Sequence, residues 1–314
     1  MSTAIRIDTG LDRGLLWHRG SPLAEQRRIV EGKGAVSLSA PEGTSGVFCI
    51  EGQERLTWLN ALCTQNLLAD PFDPEAFICD ANGHILFSLL IADDGICTWC
   101  WTSPSCRDEL ISWLESMKFW TPVTIRARDD KSLWLCGDRV DIDSTIEIPA
   151  RWMDSCRYVV CDRGCEPDEQ FHCGMWAYEA LRIEAGYIRA DLDCDSKTIP
   201  NEIGLVGTSL DKGCYPGQET VARIYNLGRP PRRLIRALFD GDLPSSGSEI
   251  RHNDSLVGVL SSSAQHYELG PIGLALIKRS VPLDAVLDVN GIATAQEALV
   301  DPDVGKHFRW RPTS

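Results

Sequence analysis

Three features of the sequence predict an α+β chain of more than one domain. Between residues 47 and 130, β-patterned runs alternate with helix-patterned ones, and after Pro230-Pro231 only short strands separated by Gly, Pro and Ser follow. The chain has 314 residues, which is more than one ordinary core serves. With 43% hydrophobic and 24% charged residues, the composition is globular. The formal net charge of −14 argues against a general nucleic-acid or anionic-membrane binder, because such surfaces need a positive field. The start, Met1 to Asp8, has no apolar core of signal-peptide length, and no uninterrupted apolar run approaches a membrane span. A soluble, cytoplasmic protein is expected.

Residues Glu25 to Arg28 form a charged stretch suited to a helix, and Gly32-Lys33-Gly34 reads as a turn. It lacks the spacing, and the Ser or Thr after the lysine, that a phosphate loop needs. His18 has no partner in the sequence and reads as a core or surface residue. Val47 to Ile50 is β-like, and residues 53–67 place Leu56, Leu59, Leu62 and Cys63 on one helical face. Phe77 to Asp80 and Ile85 to Ala92 read as a hairpin turned by Asn82-Gly83. Asp93-Asp94-Gly95 leads into a strand over Ile96 to Trp101, then a helix over 105–117 and a strand over 123–127. Helices on one face of an antiparallel sheet are compatible with a ferredoxin-like domain.

Lys131 to Gly137 is predicted as a strand, and Glu169 to Glu184 as a helix stopped by Ala185-Gly186. Gly228 to Arg233 reads as a linker, because its two prolines cannot continue a helix. Strands over 234–239, 257–261 and 272–277 then predict a small all-β barrel. Arg229, Arg232, Arg233 and Arg236 form a local positive patch or a solvated linker.

The thirteen cysteines read as reduced, mostly buried thiols in a cytosolic chain rather than as a disulfide framework. Cys97 and Cys100 are three apart in a predicted strand and point to opposite faces. Cys156, Cys161, Cys165 and Cys173, with His172, are irregularly spaced and match no compact ligand motif, so no bound metal is expected.

The densest stretch of committed residue types is Asp211 to Arg223. Gly213 and Gly217 permit unusual backbone angles, and Pro216 suits the first position of a helix running from Gln218 to Arg223. Cys214 then stands just ahead of the helix amino end with Lys212 two residues away, a setting that favours the thiolate. Cys214 is the candidate reactive thiol; an ordinary turn cysteine is the plain alternative.

Lys212 to Glu219 resembles the K-G-C-Y-x-G-Q-E signature of the YgfZ-type folate-binding proteins, relatives of the glycine-cleavage T-protein (aminomethyltransferase). Further pieces of that pattern follow in order across most of the chain: Arg55 to Asn60 with Thr64-Gln65, Asp80 to Gly83, Leu181 to Gly186, and Ile199 to Glu202. The resemblance implies a three-lobed ring. A discontinuous folate-binding domain (1–46 and 131–229) would carry a ferredoxin-like insertion (47–130) and a C-terminal β-barrel (230–314), with tetrahydrofolate or a derivative in the central hole. A pterin presents an N–H and an amino group side by side, which suit the two oxygens of one carboxylate. By resemblance, Glu202 takes that role, Tyr215 and Gln218 line the cofactor, and Arg223 or Arg233 meets the anionic tail. Cys214 and Lys212 would carry the chemistry, and Arg182 would be support.

In the T-protein branch, the hairpin after the Asp80-to-Gly83-like turn carries a paired Asp-Asp, one of which is essential to aminomethyl transfer. Here that pair falls on Phe87-Ser88, neither of which takes a proton at neutral pH. The resemblance therefore implies a monomeric folate-binding factor for iron–sulfur cluster assembly or repair, and indirectly for tRNA modification. Its partners would be folate and iron–sulfur enzymes or assembly proteins, with no direct contact to nucleic acid or membrane. The alternatives are a folate-dependent one-carbon transferase and a non-catalytic folate-binding scaffold.

Overall fold

The computed structural model describes residues 4–227 and 229–301. The chain opens with a ribbon, β1 (Ile5–Arg6) and β2 (Leu16–His18), then α1 (Pro22–Val30) and β3 (Ala35–Ser37). Next come β4 (Val47–Glu51), α2 (Arg55–Asn60), β5 (Glu75–Cys79), β6 (Ile85–Asp93), β7 (Cys97–Trp101), α3 (Arg107–Ser116) and β8 (Thr124–Ala127). The chain continues through β9 (Lys131–Gly137), β10 (Ile146–Pro149), β11 (Cys156–Asp162), α4 (Met175–Glu184), α5 (Ala190–Asp193) and α6 (Gln218–Leu227). Six strands follow: β12 (Arg232–Phe239), β13 (Glu249–His252), β14 (Ser255–His266), β15 (Gly270–Lys278), β16 (Leu287–Val289) and β17 (Ile292–Ala298).

Beyond the β1–β2 ribbon, the described strands make three sheets. β3 returns beside β9 in the order β10-β11-β9-β3, the segment between them forms β5-β6-β7-β4-β8, and the last six strands close a barrel. The middle sheet buries both faces. Alternation sends Phe48, Ile50, Leu89 and Ile91 under α2 and α3, while Val47, Cys49, Leu90 and Trp99 pack on Leu133, Leu135 and Tyr178 of the first unit. Cys97 lies in one of these cores and Cys100 in the other. The hairpin β5–β6 reaches the barrel as well: Phe77, Cys79 and Ile85 share a core with Ala180 and Ile183 of α4 and with Leu234, Ile272 and Leu274. All three units thus meet at this hairpin.

Two predicted helices are shorter than their hydrophobic pattern suggests. The one over 53–67 stops at Asn60, because Cys63 bridges to Ile78 and the Thr64 N–H donates to the Phe77 carbonyl at 2.8 Å. Pairing with β5 wins over another helical turn. The one over 169–184 begins at Met175, after a 3₁₀ turn at Glu169–Phe171. Cys173 N–H donates to the Ala35 carbonyl at 2.8 Å, and a Cβ at Gly174 would sit 2.0 Å from the Trp17 carbonyl oxygen, so the chain here lies flat against its neighbours. The reverse holds for α6, which runs on past Arg223 to Leu227.

Three of the four arginines of the predicted positive patch are drawn into pairs or into the barrel wall, while Arg229 stays exposed. Arg232 pairs with Asp195 and Glu202, Arg236 pairs with Glu297, and Arg233 is wholly buried in the barrel wall. Gly228 of the predicted linker and the last residues of the predicted barrel domain, 302–314, lie outside the described residues. No described helix is long and apolar enough to cross a membrane.

Candidate functional site

The signature loop is pinned at three places. Lys212 Nζ donates to the carbonyls of Asn60, Cys63 (2.6 Å) and Gln65 (2.8 Å), which uses all three of its N–H groups at the frayed end of α2. Tyr215 is buried, with the ammonium of Lys212 5.2 Å from its ring centroid, and Gln218 donates back to the Lys212 carbonyl at 3.2 Å. Gly217, at φ +82°, lies where a Cβ would come within 2.5 Å of the Asp80 carbonyl oxygen in the β5–β6 turn. Only glycine fits that approach. The turn is itself stiff, because the Asp80 carboxylate accepts from the N–H groups of Asn82 and His84, each at 2.8 Å. Burial opposes its ionisation, but those bonds and the His84 ring hold the carboxyl below its ordinary value.

Cys214 stands exposed on this pinned loop, four residues ahead of α6. Lys212 is not left over for the thiol, and burial draws its own pKa down. Its expected catalytic role is replaced by a positioning one. Lys212→Met should leave three inward-facing carbonyls without a donor and cost about 1–3 kcal/mol, with faster amide exchange over residues 60–67. Unchanged exchange there would show that the loop holds without it.

The residues expected to meet a cofactor divide. Glu202 is fully buried, and both its oxygens are taken: Oε1 accepts from Arg232 Nε at 2.9 Å and Oε2 from Arg232 Nη2 at 2.7 Å. The pterin role expected for Glu202 is therefore corrected to a structural one, tying the Ile199-to-Glu202 segment to β12. Arg233 is corrected likewise. Its guanidinium donates to the carbonyls of Lys278, Arg279 and Val281 and to Gln296 Oε1, inside the barrel. Tyr215 and Gln218 build the loop, while Arg223 is exposed on α6.

A second feature lies between the β5–β6 hairpin and the first unit. A cavity of about 40 Å³ has β5, β6 and the rings of Tyr158, Tyr178 and Tyr187 in its wall. That is room for a few waters. Ser88, the position expected to replace an acid, lies on this wall. Arg189, just ahead of α5, and Asp191, within it, are already paired. Arg189 binds Asp12 through both terminal nitrogens at 2.8 Å, and Asp191 accepts from Ser103 Oγ at 2.8 Å.

Glu75 is the cavity residue that sequence reasoning missed. It opens β5, faces the same side as Phe77 and Ser88 by the register Glu75↔Leu90 and Phe77↔Ser88, and is 8% exposed. Burial, with Asp73 adding to it and Arg151 opposing, pushes its carboxyl up to about 7. The signal was available: a glutamate two residues before Phe77, in phase with Phe77 and Cys79 on one strand face. Beginning the strand at Phe77 left it in a loop. Among the described residues, no group of three or more His, Cys, Asp or Glu is placed to hold a metal.

The same architecture is found in a known structure. The glycine cleavage system aminomethyltransferase T of Bartonella henselae matches with a TM-score of 0.75 over 96% of this chain and 95% of its own, at 13% identity, a likeness of fold. In sequence, the chain is 30% identical over 155 residues to an aminomethyltransferase of Parasynechococcus marenigrum, and 46% identical over 46 residues to the tRNA-modifying protein YgfZ of Buchnera aphidicola. The matches span 38% and 14% of those two relatives, and 45% and 14% of this chain. No protein-family model matches.

The chain is thus similar in fold to a glycine-cleavage T-protein (aminomethyltransferase), and similar in sequence to another over less than half of its length. The Lys212-to-Glu219 signature, and the 46-residue match to a tRNA-modifying protein, resemble the YgfZ-type branch of those proteins.

Proposed function

We propose that this protein is a cytoplasmic, monomeric tetrahydrofolate-binding factor that supports iron–sulfur cluster assembly or repair, and through it tRNA modification, with Cys214 as its working thiol. The observation that carries this reading is the setting of Cys214. Nine of the thirteen cysteines are buried, and the thiols of Cys165 and Cys214 are the exposed ones. Of these two, Cys214 sits in the loop that Lys212, Tyr215 and Gly217 fasten to the β5–β6 unit. An exposed sulfur on a rigid mount can exchange a disulfide, accept a one-carbon unit or touch a cluster.

Folate would enter the cavity between the units, with Arg223 available to its anionic tail. Sites for ligands of this size measure about 300–1,000 Å³, so the tyrosine wall has to open around the pterin. With Ser88 in place of an acid, aminomethyl transfer by the T-protein route has no base at that position.

Titration of the purified protein with tetrahydrofolate and 5-formyltetrahydrofolate tests the ligand; a Kd near micromolar, about −8 kcal/mol, is expected. Cys214→Ser should keep that affinity and the fold, yet behave as a deletion when iron–sulfur enzyme activities are read in cells lacking the protein. Rescue by Cys214→Ser would remove the thiol from the mechanism and leave a folate-binding scaffold.

A further inference from the structure

We infer that Glu75 is the ligand-binding carboxylate of the central cavity, built to receive a flat heterocycle that offers two adjacent N–H donors. The inference deepens the folate reading and rests on it for the identity of the ligand; the residue follows from the cavity. Among the described residues none donates a hydrogen bond to the Glu75 carboxylate, although the side chain is 8% exposed. Its hydrogen bonds run through the backbone: its N–H donates to Asp73, and its carbonyl accepts from Gln65.

Two other candidate carboxylates already have donors. Asp191, on the same cavity wall, holds Ser103 and Arg189, and Glu202 holds Arg232. A buried carboxylate without donors is expensive, and a ligand that brings two of them relieves the cost. The remaining wall supplies what a flat ring needs, the side chains of Tyr158, Tyr178 and Tyr187. A heterocycle with an amidine-type edge, such as a pterin or an aminopyrimidinone, has the matching shape and donor pair.

The charge state supports this assignment. The groups that face Glu75 are Asp73 on its own approach, Arg151 across the first unit, Tyr158 and Tyr187, with Tyr178 and the paired Arg189 and Asp191 completing the wall. Their sum leaves the carboxyl half-protonated near neutral pH. Two N–H donors require the ionised form, so a ligand binding below that pH expels one proton from Glu75 to the solvent. Affinity should fall about tenfold for each pH unit below 7.

Calorimetry with tetrahydrofolate, and with 2-aminopyrimidin-4-one as the bare edge, at pH 5.5, 6.5 and 8 reads this directly. The expected result is an affinity that rises about tenfold from pH 5.5 to 6.5 and levels off by pH 8, with Glu75→Gln binding at least tenfold more weakly and without that pH dependence. Binding by Glu75→Gln with the wild-type affinity and pH profile would overturn the inference and leave the folate reading standing. Binding of the aminopyrimidinone but not of tetrahydrofolate, still Glu75-dependent, would support the inference and overturn the folate reading. If neither probe binds wild type, the inference falls. Should Glu75→Gln not fold, the Glu75 carboxyl resonance in labelled wild type replaces it. Saturation with the probe must move its titration to lower pH, and an unmoved titration counts against the assignment.

Discussion

Arg182→Met should lower the unfolding free energy by roughly 3–5 kcal/mol, among the largest single-residue effects this chain offers. Arg182 is wholly buried and spends its guanidinium on three elements at once. Nη1 donates to Asp193 at 2.7 Å, Nε to Glu179 at 2.9 Å, and Nη2 to Ser262 Oγ of the barrel at 2.7 Å. Asp193 has no exposed side-chain surface and also accepts from Ser261 and Ser262. Removing the arginine strands that carboxylate in the dry seam between α4, α5 and β14. Urea titration followed by circular dichroism measures the loss. Arg182→Met combined with Asp193→Asn should recover at least half of it, because the stranded charge is gone. If the double variant is no better than the single one, packing of the arginine stem rather than charge holds the seam. The effect reaches the cavity because α5 carries Asp191, and Arg189 precedes it by one residue.

Much of this architecture was legible in the sequence, and the failures have local causes. The short apolar run Leu133 to Cys136 closed by Gly137 made β9 readable end to end, and the Asn82-Gly83 turn with Asp80 ahead of it fixed the β5–β6 hairpin, since both signals are short-range. The helices over 53–67 and 169–184 were overdrawn because their patterns of buried residues are real, yet tertiary pairing to β5 and β3 competes for the same backbone groups. Partnership of charges was the least visible layer. Glu202, Arg232 and Arg233 are sequence neighbours of the motif but are consumed by one another and by barrel carbonyls, a fact set by contacts about 30 to 60 positions apart. Cys214 was found because a motif marks it. Glu75 was missed because its meaning lies in what surrounds it, three tyrosines that follow it by about 80 to 110 positions.

Glu75→Gln should make the protein more stable at pH 8 and leave it unchanged at pH 4. The carboxyl titrates at about 7 in the folded protein and at its ordinary 4.5 when the chain unfolds. An acid with a raised folded pKa holds its proton more tightly in the native state, so its cost is absent below 4.5, grows through the window between 4.5 and 7, and is complete above 7. At roughly 1.4 kcal/mol per pH unit, the full cost is about 3 kcal/mol. Glutamine has nearly the same shape and no charge to desolvate, so the variant should lack that cost at every pH. Thermal and urea unfolding of both proteins at pH 4, 6 and 8 would trace the difference as a rising curve. A flat difference would mean that the carboxylate is already solvated or paired in solution, and the cavity would then have no unmet acceptor to offer. A rising one would show that the native fold retains a destabilising charge beside the tyrosine-lined cavity, which is the behaviour expected of a group kept for a ligand rather than for the fold.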